Sequence, residues 1–332
     1  MKKLLLTLIF ILALSFVSVT ALAFDDMPND WSTAALQSAV DNGLLQGTDN
    51  KLLPKNNLTR AQMATILVRA LGATESADIS SFTDVPKNAW YYNNMAIAFK
   101  MNIFRGDGAG KMNPDANITR QEAFVVLARA YNLTTSDYTS LSKFKDADKI
   151  ASWAKPELAA LVKAGYVAGS NGMLNPLSSI TRAEFAQVMY NLNKAYVDSS
   201  SELSALGVVN GNVIIRDNSM TKIENLTVNG DVIIGDGMKA LASMKNVKIN
   251  GRLVIRCSGN VSFDGEASEM VLVADNTTVT ASSTSKISKI TKSSETSSVK
   301  TESEIPSTPT TPTVPTTPTT PEVEEDLWTD FH

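Results

Sequence analysis

Leu58-Thr59-Arg60-Ala61-Gln62, Ile118-Thr119-Arg120-Gln121-Glu122 and Ile180-Thr181-Arg182-Ala183-Glu184 are one phrase written three times. The arginines stand 60 and 62 residues apart, so an internal repeat organises the chain and is read before any single motif. Each copy runs Thr-x-x-Gln/Glu into an apolar stretch, the signature of a capping box with Thr59, Thr119 and Thr181 as N-caps. An Arg then falls in the first turn of each helix, where the amide ends already carry partial positive charge and cations are disfavoured. A cation beside free amide donors suits a carboxylate or phosphate. The ordinary alternative is that these arginines solvate the helix start or pair with a nearby Asp. Three copies at one helical position favour an anion site.

Outward from that phrase, each repeat keeps the same order. Phe24-Asp25-Asp26-Met27-Pro28 precedes Trp31, Phe82-Thr83-Asp84-Val85-Pro86 precedes Trp90, and Phe144-Lys145-Asp146-Ala147 precedes Trp153. A helix of about three turns is expected after each Trp. It should stop at Asn42-Gly43, Asn102 and Gly165, which accept a left-handed C-cap. A loop with Gly47, Gly106 or Gly169 and then Pro54, Pro114 or Pro176 leads to the capping box and the second helix. One pair of about 50 residues is marginal alone, so the three should share a core.

These residues resemble the S-layer homology domain, in tandem triplicate over residues 24–75, 82–135 and 143–196. The resemblance implies an all-α pseudo-threefold bundle whose grooves hold secondary cell-wall polysaccharide, often through a pyruvylated sugar. It implies Arg60, Arg120 and Arg182 as partners of the ketal carboxylate, Asp26, Asp84 and Asp146 as acceptors from sugar hydroxyls, and Trp31, Trp90 and Trp153 against the sugar ring. The residues also admit plainer roles: first-turn packing for Trp, and an N-cap or Asx turn for Asp. Gln62, Gln121, Asn102 and the missing Pro after Asp146 depart from the family pattern, the last weakening the third groove most.

Charge fits local recognition. Residues 24–196 hold 17 Lys and Arg against 16 Asp and Glu, so no net field draws in a polyanion, and an acidic sugar must be met by an Arg and helix-end amides. Met1-Lys2-Lys3, an apolar run and Ala21-Leu22-Ala23 read as a secretory signal over 1–23. Without it the chain carries 28 basic against 34 acidic side chains, which argues against nucleic acid and anionic membrane surfaces. No later run is long enough for a membrane span. Cys257 is the only cysteine and His332, the last residue, the only histidine. Disulfide stapling, a Ser-His-Asp triad and a histidine metal site are therefore not expected, and no cofactor is called for.

A second repeat begins near Gly207. Val209-Asn210-Gly211, Val228-Asn229-Gly230 and Ile249-Asn250-Gly251 each lead into a β-branched run, 19 and 21 residues apart. Asn-Gly can close a hairpin, which would make residues 200–281 an antiparallel sandwich. A fixed period with the same strand recurring favours a parallel β-solenoid of four or so rungs, and the segment resembles the β-helix modules found beside S-layer homology repeats. Parallel β-helices host polysaccharide-degrading enzymes, and Asp231, Asp236, Asp264 and Asp275 offer carboxylates, although Asp at strand ends is ordinary turn chemistry. From Ser282 to His332 the composition falls to Ser, Thr, Lys and Pro, read as a disordered tail with an acidic, aromatic end. The expectation is a non-enzymatic exported protein bound to an anionic wall glycan, with no catalytic residue. A surface-anchored polysaccharide-degrading enzyme and a scaffold that self-assembles or captures other surface proteins are the alternatives.

Overall fold

The computed structural model describes residues 24–302; the expected secretory signal over 1–23 and the acidic end of the expected tail lie outside them. Six helices form the first half: α1 (Thr33–Asp41), α2 (Arg60–Ala70), α3 (Tyr92–Lys100), α4 (Arg120–Ala130), α5 (Lys155–Lys163) and α6 (Arg182–Leu192). The capping boxes of α2, α4 and α6 are complete, with Thr59, Thr119 and Thr181 accepting from the amide three residues on and Gln62, Glu122 and Glu184 reaching back. Gly43, Asn102 and Gly165 take the left-handed conformation after the shorter helices, as their sequence positions require.

Helices of one repeat do not pair chiefly with each other. α2 packs on α3, α4 on α5 and α6 on α1, so each repeat leans on the next and the third closes on the first. The capping-box strands carry the same cycle: Ile118 N donates to Leu58 O, Ile180 N to Ile118 O, and Leu58 N to Ile180 O, at 2.8–3.1 Å. No repeat completes its core alone. α2 and α4 are apolar nearly all round and almost fully buried, as helices enclosed on several sides must be.

The second half follows α6 without a break. β1 (Asn193–Val197) leads, after a short helix, to β2 (Val208–Asn210), β3 (Asn212–Ile215), β4 (Lys222–Glu224), β5 (Thr227–Asn229) and β6 (Val232–Ile234). Two long bent strands, β7 (Ser243–Ile255) and β8 (Gly259–Leu272), precede β9 (Thr277–Ala281), β10 (Lys286–Ile287), β11 (Ile290–Lys292) and β12 (Ser298–Thr301). Every pairing between them is parallel. Val213 lies on Val232 and Val232 on Leu253, which is the sequence period turned into a β-solenoid. The Asn-Gly pairs close no hairpin. They are stacked corners, with Asn229 Nδ2 donating to Asn210 Oδ1 (2.7 Å) and Asn250 Nδ2 to Asn229 Oδ1 (2.5 Å). A Cβ on Gly230 would stand 2.6 Å from the Gly211 carbonyl carbon, so the stack needs glycine there.

The segment after Ser282 corrects the expectation of disorder from that point, because β10, β11 and β12 add to the sheet through Thr301. Few apolar residues suffice when a finished layer supplies backbone partners and hydroxyls fill the rest: Ser285 Oγ accepts from Gly265 N and Ser297 Oγ from Thr277 N. Six strands stack on the face formed by β1, β3, β6, β7, β8 and β11, more layers than the four or so expected.

That face is buried on both sides. Val213, Ile215, Val232, Ile234, Leu253 and Ile255 point into the solenoid, while Ile214, Ile233, Val254 and Val271 belong to the helical core. Continuous β-branched runs are the mark of strands covered on both faces. Arginines seal the rim. Arg216 donates to Arg69 O and Asn42 O, Arg252 to Tyr131 O and Asn132 O, and Arg256 to Ala130 O and Met101 O. These carbonyls end helices, where a cation is favoured. Each Arg is also held by an Asp on the solenoid side, namely Asp198, Asp231 and Asp236. No described helix is long and apolar enough to cross a membrane.

Candidate functional site

The loop between the two helices of each repeat is folded by the Asp of its opening motif. Asp26 accepts from Leu52 N and Leu53 N, Asp84 from Met112 N and Asn113 N, and Asp146 from Leu174 N and Asn175 N, all at 2.7–2.9 Å. Burial opposes the charge on Asp146, yet its amide donors outweigh that and hold its carboxyl below the usual range. The motif Phe lies on the loop glycine: a Cβ on Gly106 would come within 2.3 Å of Phe82, and on Gly47 within 2.2 Å of Phe24.

The residue whose amide the Asp binds presents its carbonyl to an Arg of the preceding repeat. Arg60 Nε donates to Met112 O, Arg120 Nε to Leu174 O and Arg182 Nε to Leu52 O, at 2.7–2.8 Å. A second bond runs from Arg60 Nη2 to Arg105 O and from Arg182 Nη2 to Gln46 O. The arginines thus reach away from their own helix ends, which resolves the apparent conflict with the helix dipole. Amides at those helix starts, expected to be free for an anion, are occupied. Arg60 N and Ala61 N donate to Ala116 O and Pro114 O, and the equivalent pairs in α4 and α6 do the same to the next repeat. Any anion must therefore be met by the outer edge of the guanidinium.

Burial lowers the pKa of all three arginines, opposed by Glu122 at Arg60, Glu184 at Arg120 and Asp26 at Arg182, and arginine stays cationic regardless. Arg120 Nη1 lies 3.0 Å from Glu184 and Arg60 Nη1 3.8 Å from Glu122. The same cycle would set Arg182 against residue 62, which is Gln, and no ion pair with Arg182 forms among the described residues. The departure from the motif at Gln62 leaves that cation without an ion-paired carboxylate.

Trp31, Trp90 and Trp153 are 60%, 63% and 52% exposed, so none packs into the core as a first-turn anchor. One groove unites an Arg and a Trp from different repeats. A cavity of about 440 Å³ is lined by Arg60, Phe104, Asp107, Asn117, Glu122 and Trp153, among others. A cation and an exposed indole in one lining suit a sugar that carries an acid group. Sequence reasoning missed Phe104, which lies under the Arg60 guanidinium at 5.3 Å, and Arg105 and Arg129 at the groove's edge.

The sequence matches the S-layer homology domain family over residues 23–64, 81–124 and 143–186. The chain carries three S-layer homology domains. Among its relatives are the surface-layer 125 kDa protein of Lysinibacillus sphaericus, 35% identical over 195 residues, which make up 56% of this chain and 16% of that one. The S-layer protein sap of Bacillus anthracis is 29% identical over 197 residues, 58% of this chain and 24% of that one. Exoglucanase XynX of Acetivibrio thermocellus is 30% identical over 177 residues, 52% and 16%. The chain thus spans less than a quarter of each of these relatives. It is a secreted, cell-surface, S-layer-associated protein.

Beyond the S-layer homology domains, the solenoid's carboxylates are mostly engaged. Asp231 and Asp236 hold Arg252 and Arg256, and Asp264 accepts from Ser282 and Thr284. Cys257 is buried, and burial pushes its thiol up to about 12.

Proposed function

We propose that the three S-layer homology domains form a pseudo-threefold anchor that holds the chain non-covalently to an acidic, pyruvylated cell-wall polysaccharide. The observation that carries this reading is the groove that Arg60 and the exposed Trp153 line together. The guanidinium, fixed through its Nε, offers its outer edge to a ketal carboxylate, while the indole covers the ring. By the cyclic order, Trp31 would serve Arg120 and Trp90 would serve Arg182. Asp26, Asp84 and Asp146 act indirectly in this reading, since they shape the loop that receives each Arg. S-layer or other surface proteins are candidate neighbours of the anchored chain.

Because the arginines also hold the fold, the clean test is Trp153→Ala. Its exposed side chain can go without loss of core packing. Sedimentation with protein-free cell walls should fall about tenfold, as expected when a ring-stacking contact of ~1–1.5 kcal/mol is removed. The wild type should lose a similar amount on walls stripped of pyruvate. Unchanged sedimentation in both arms refutes the proposal. A second reading, that the anchor tethers polysaccharide-degrading activity, draws on the relative named as an exoglucanase; release of reducing ends from wall glycan would support it.

A further inference from the structure

A second cavity, of about 530 Å³, opens between the helical half and the solenoid, and Arg105 and Arg129 line both it and the Arg60–Trp153 groove. The history of these two residues is legible by comparison between repeats. In repeat one, Arg69 in the last turn of α2 donates to Leu44 O and to Gln46 Oε1. Arg129 holds the same position in α4, but the place of Gln46 is taken by Arg105. The bond is lost and a second cation stands in its stead. Arg129 has no hydrogen-bond or ion-pair partner among the described residues, and Arg105 only a 3.4 Å contact to Asn102. Burial first, and then the charge of Arg105, lower the pKa of Arg129, and the carboxylate of Glu157 opposes them without pairing with it.

Lys100, at the end of α3, adds a third cation to the lining; its charge acts on Glu75, but it forms no ion pair among the described residues. Arg256 is paired with Asp236 and Lys239 with Glu75, which leaves Asp275 as the lining carboxylate without an ion pair, and Lys100, Arg105 and Arg129 as the lining cations without one, among the described residues. From the solenoid side, Ser258, Asn276 and Ser293 present side chains that make no hydrogen bond among the described residues. Two like charges held together without an anion repel, and the neutral donors and acceptors around them suit hydroxyl groups.

We propose that Arg105, Arg129 and Lys100 form an anion subsite in this cleft, which takes the acid group of a further sugar unit on the same glycan that occupies the Arg60–Trp153 groove. The inference rests on the anchoring reading for the identity of the ligand. The solenoid is then part of the binding surface, because it supplies the opposite wall.

The test uses the chain from Phe24 to His332 and acidic wall polysaccharide released from protein-free walls, separated into single repeating units and longer fragments. In the double variant Arg105→Gln/Lys100→Gln, the first change restores the residue that repeat one uses, so thermal stability should hold or rise. Its affinity for long fragments should fall tenfold or more, and by a larger factor than that for single units, whose groove Arg105 also borders; an equal loss on both overturns the subsite. Trp153→Ala should weaken both. Wild-type affinity of the double variant for long fragments overturns the subsite and leaves the groove standing. Loss in the double variant with none in Trp153→Ala supports the cleft and overturns the groove. Wild-type binding by both variants, or no binding of either fragment by the wild type, overturns both proposals.

Discussion

Arg256 joins the two halves of the molecule, and its removal should reveal how strongly they are coupled. Its side chain is 1% exposed; Nε and Nη2 bind Asp236 at 2.7 and 3.1 Å, and Nη1 binds Ala130 O at 3.0 Å. Arg256→Met leaves Asp236 buried without its cation and uncovers two helix-end carbonyls, so about 3–5 kcal/mol should be lost. Asp236→Leu in the same molecule removes the stranded charge, and a buried pair replaced by apolar residues of similar size is often close to neutral. Only the helix-end bonds then remain missing, about 1–3 kcal/mol. The double variant should therefore be more stable than the single one. Urea unfolding followed by tryptophan fluorescence in a Trp328→Phe background reads this directly, since the other three, Trp31, Trp90 and Trp153, all lie in the helical half. The reasoning fails if Arg256→Met costs under about 1 kcal/mol, or if the double variant is the less stable of the two.

Leu53 adopts φ +54°, where repeats two and three have Asn113 and Asn175 at +51° and +52°. Leu53→Asn should stabilise by about 0.5–1 kcal/mol, read as a rise in thermal midpoint, because Asn tolerates the left-handed region. Gly230→Ala forces the stacked corner apart against the Gly211 backbone, and should cost about 1–3 kcal/mol in the same assay. Asp146 has a folded pKa below its ordinary value of 3.8, so its contribution is present above that value and is lost as pH falls through the lower, folded one. Asp146→Asn should flatten the acid limb of a stability–pH curve below about pH 4 while lowering stability at neutral pH; an unchanged acid limb refutes the assignment.

Much of the site was legible because repetition aligns residues with their own controls. The capping boxes, the left-handed stops and the recurrence of Arg, Asp and Trp all follow from local chemistry. What each Arg does was not legible. Its partner carbonyl lies 52 residues away for Arg60 and 130 for Arg182, and the amides that seemed open are filled by a neighbouring repeat. The Asp residues were read as turn or sugar contacts for the same reason, since their amide partners lie 26–29 residues on. Strands after Ser282 were missed because composition alone cannot register the layer already waiting for them.

By itself the sequence determined the two repeats, the start and stop of each helix, and the period that makes strands stack like on like. These depend on near neighbours and on spacing. Only the tertiary structure decided that each repeat is completed by the next, that the β-branched runs are buried against the helices as well as inside the solenoid, and that Trp153 of one repeat lines the same cavity as Arg60 of another. Those outcomes require closing a ring of chain segments, and the free energy of closure resides in contacts that no local stretch contains.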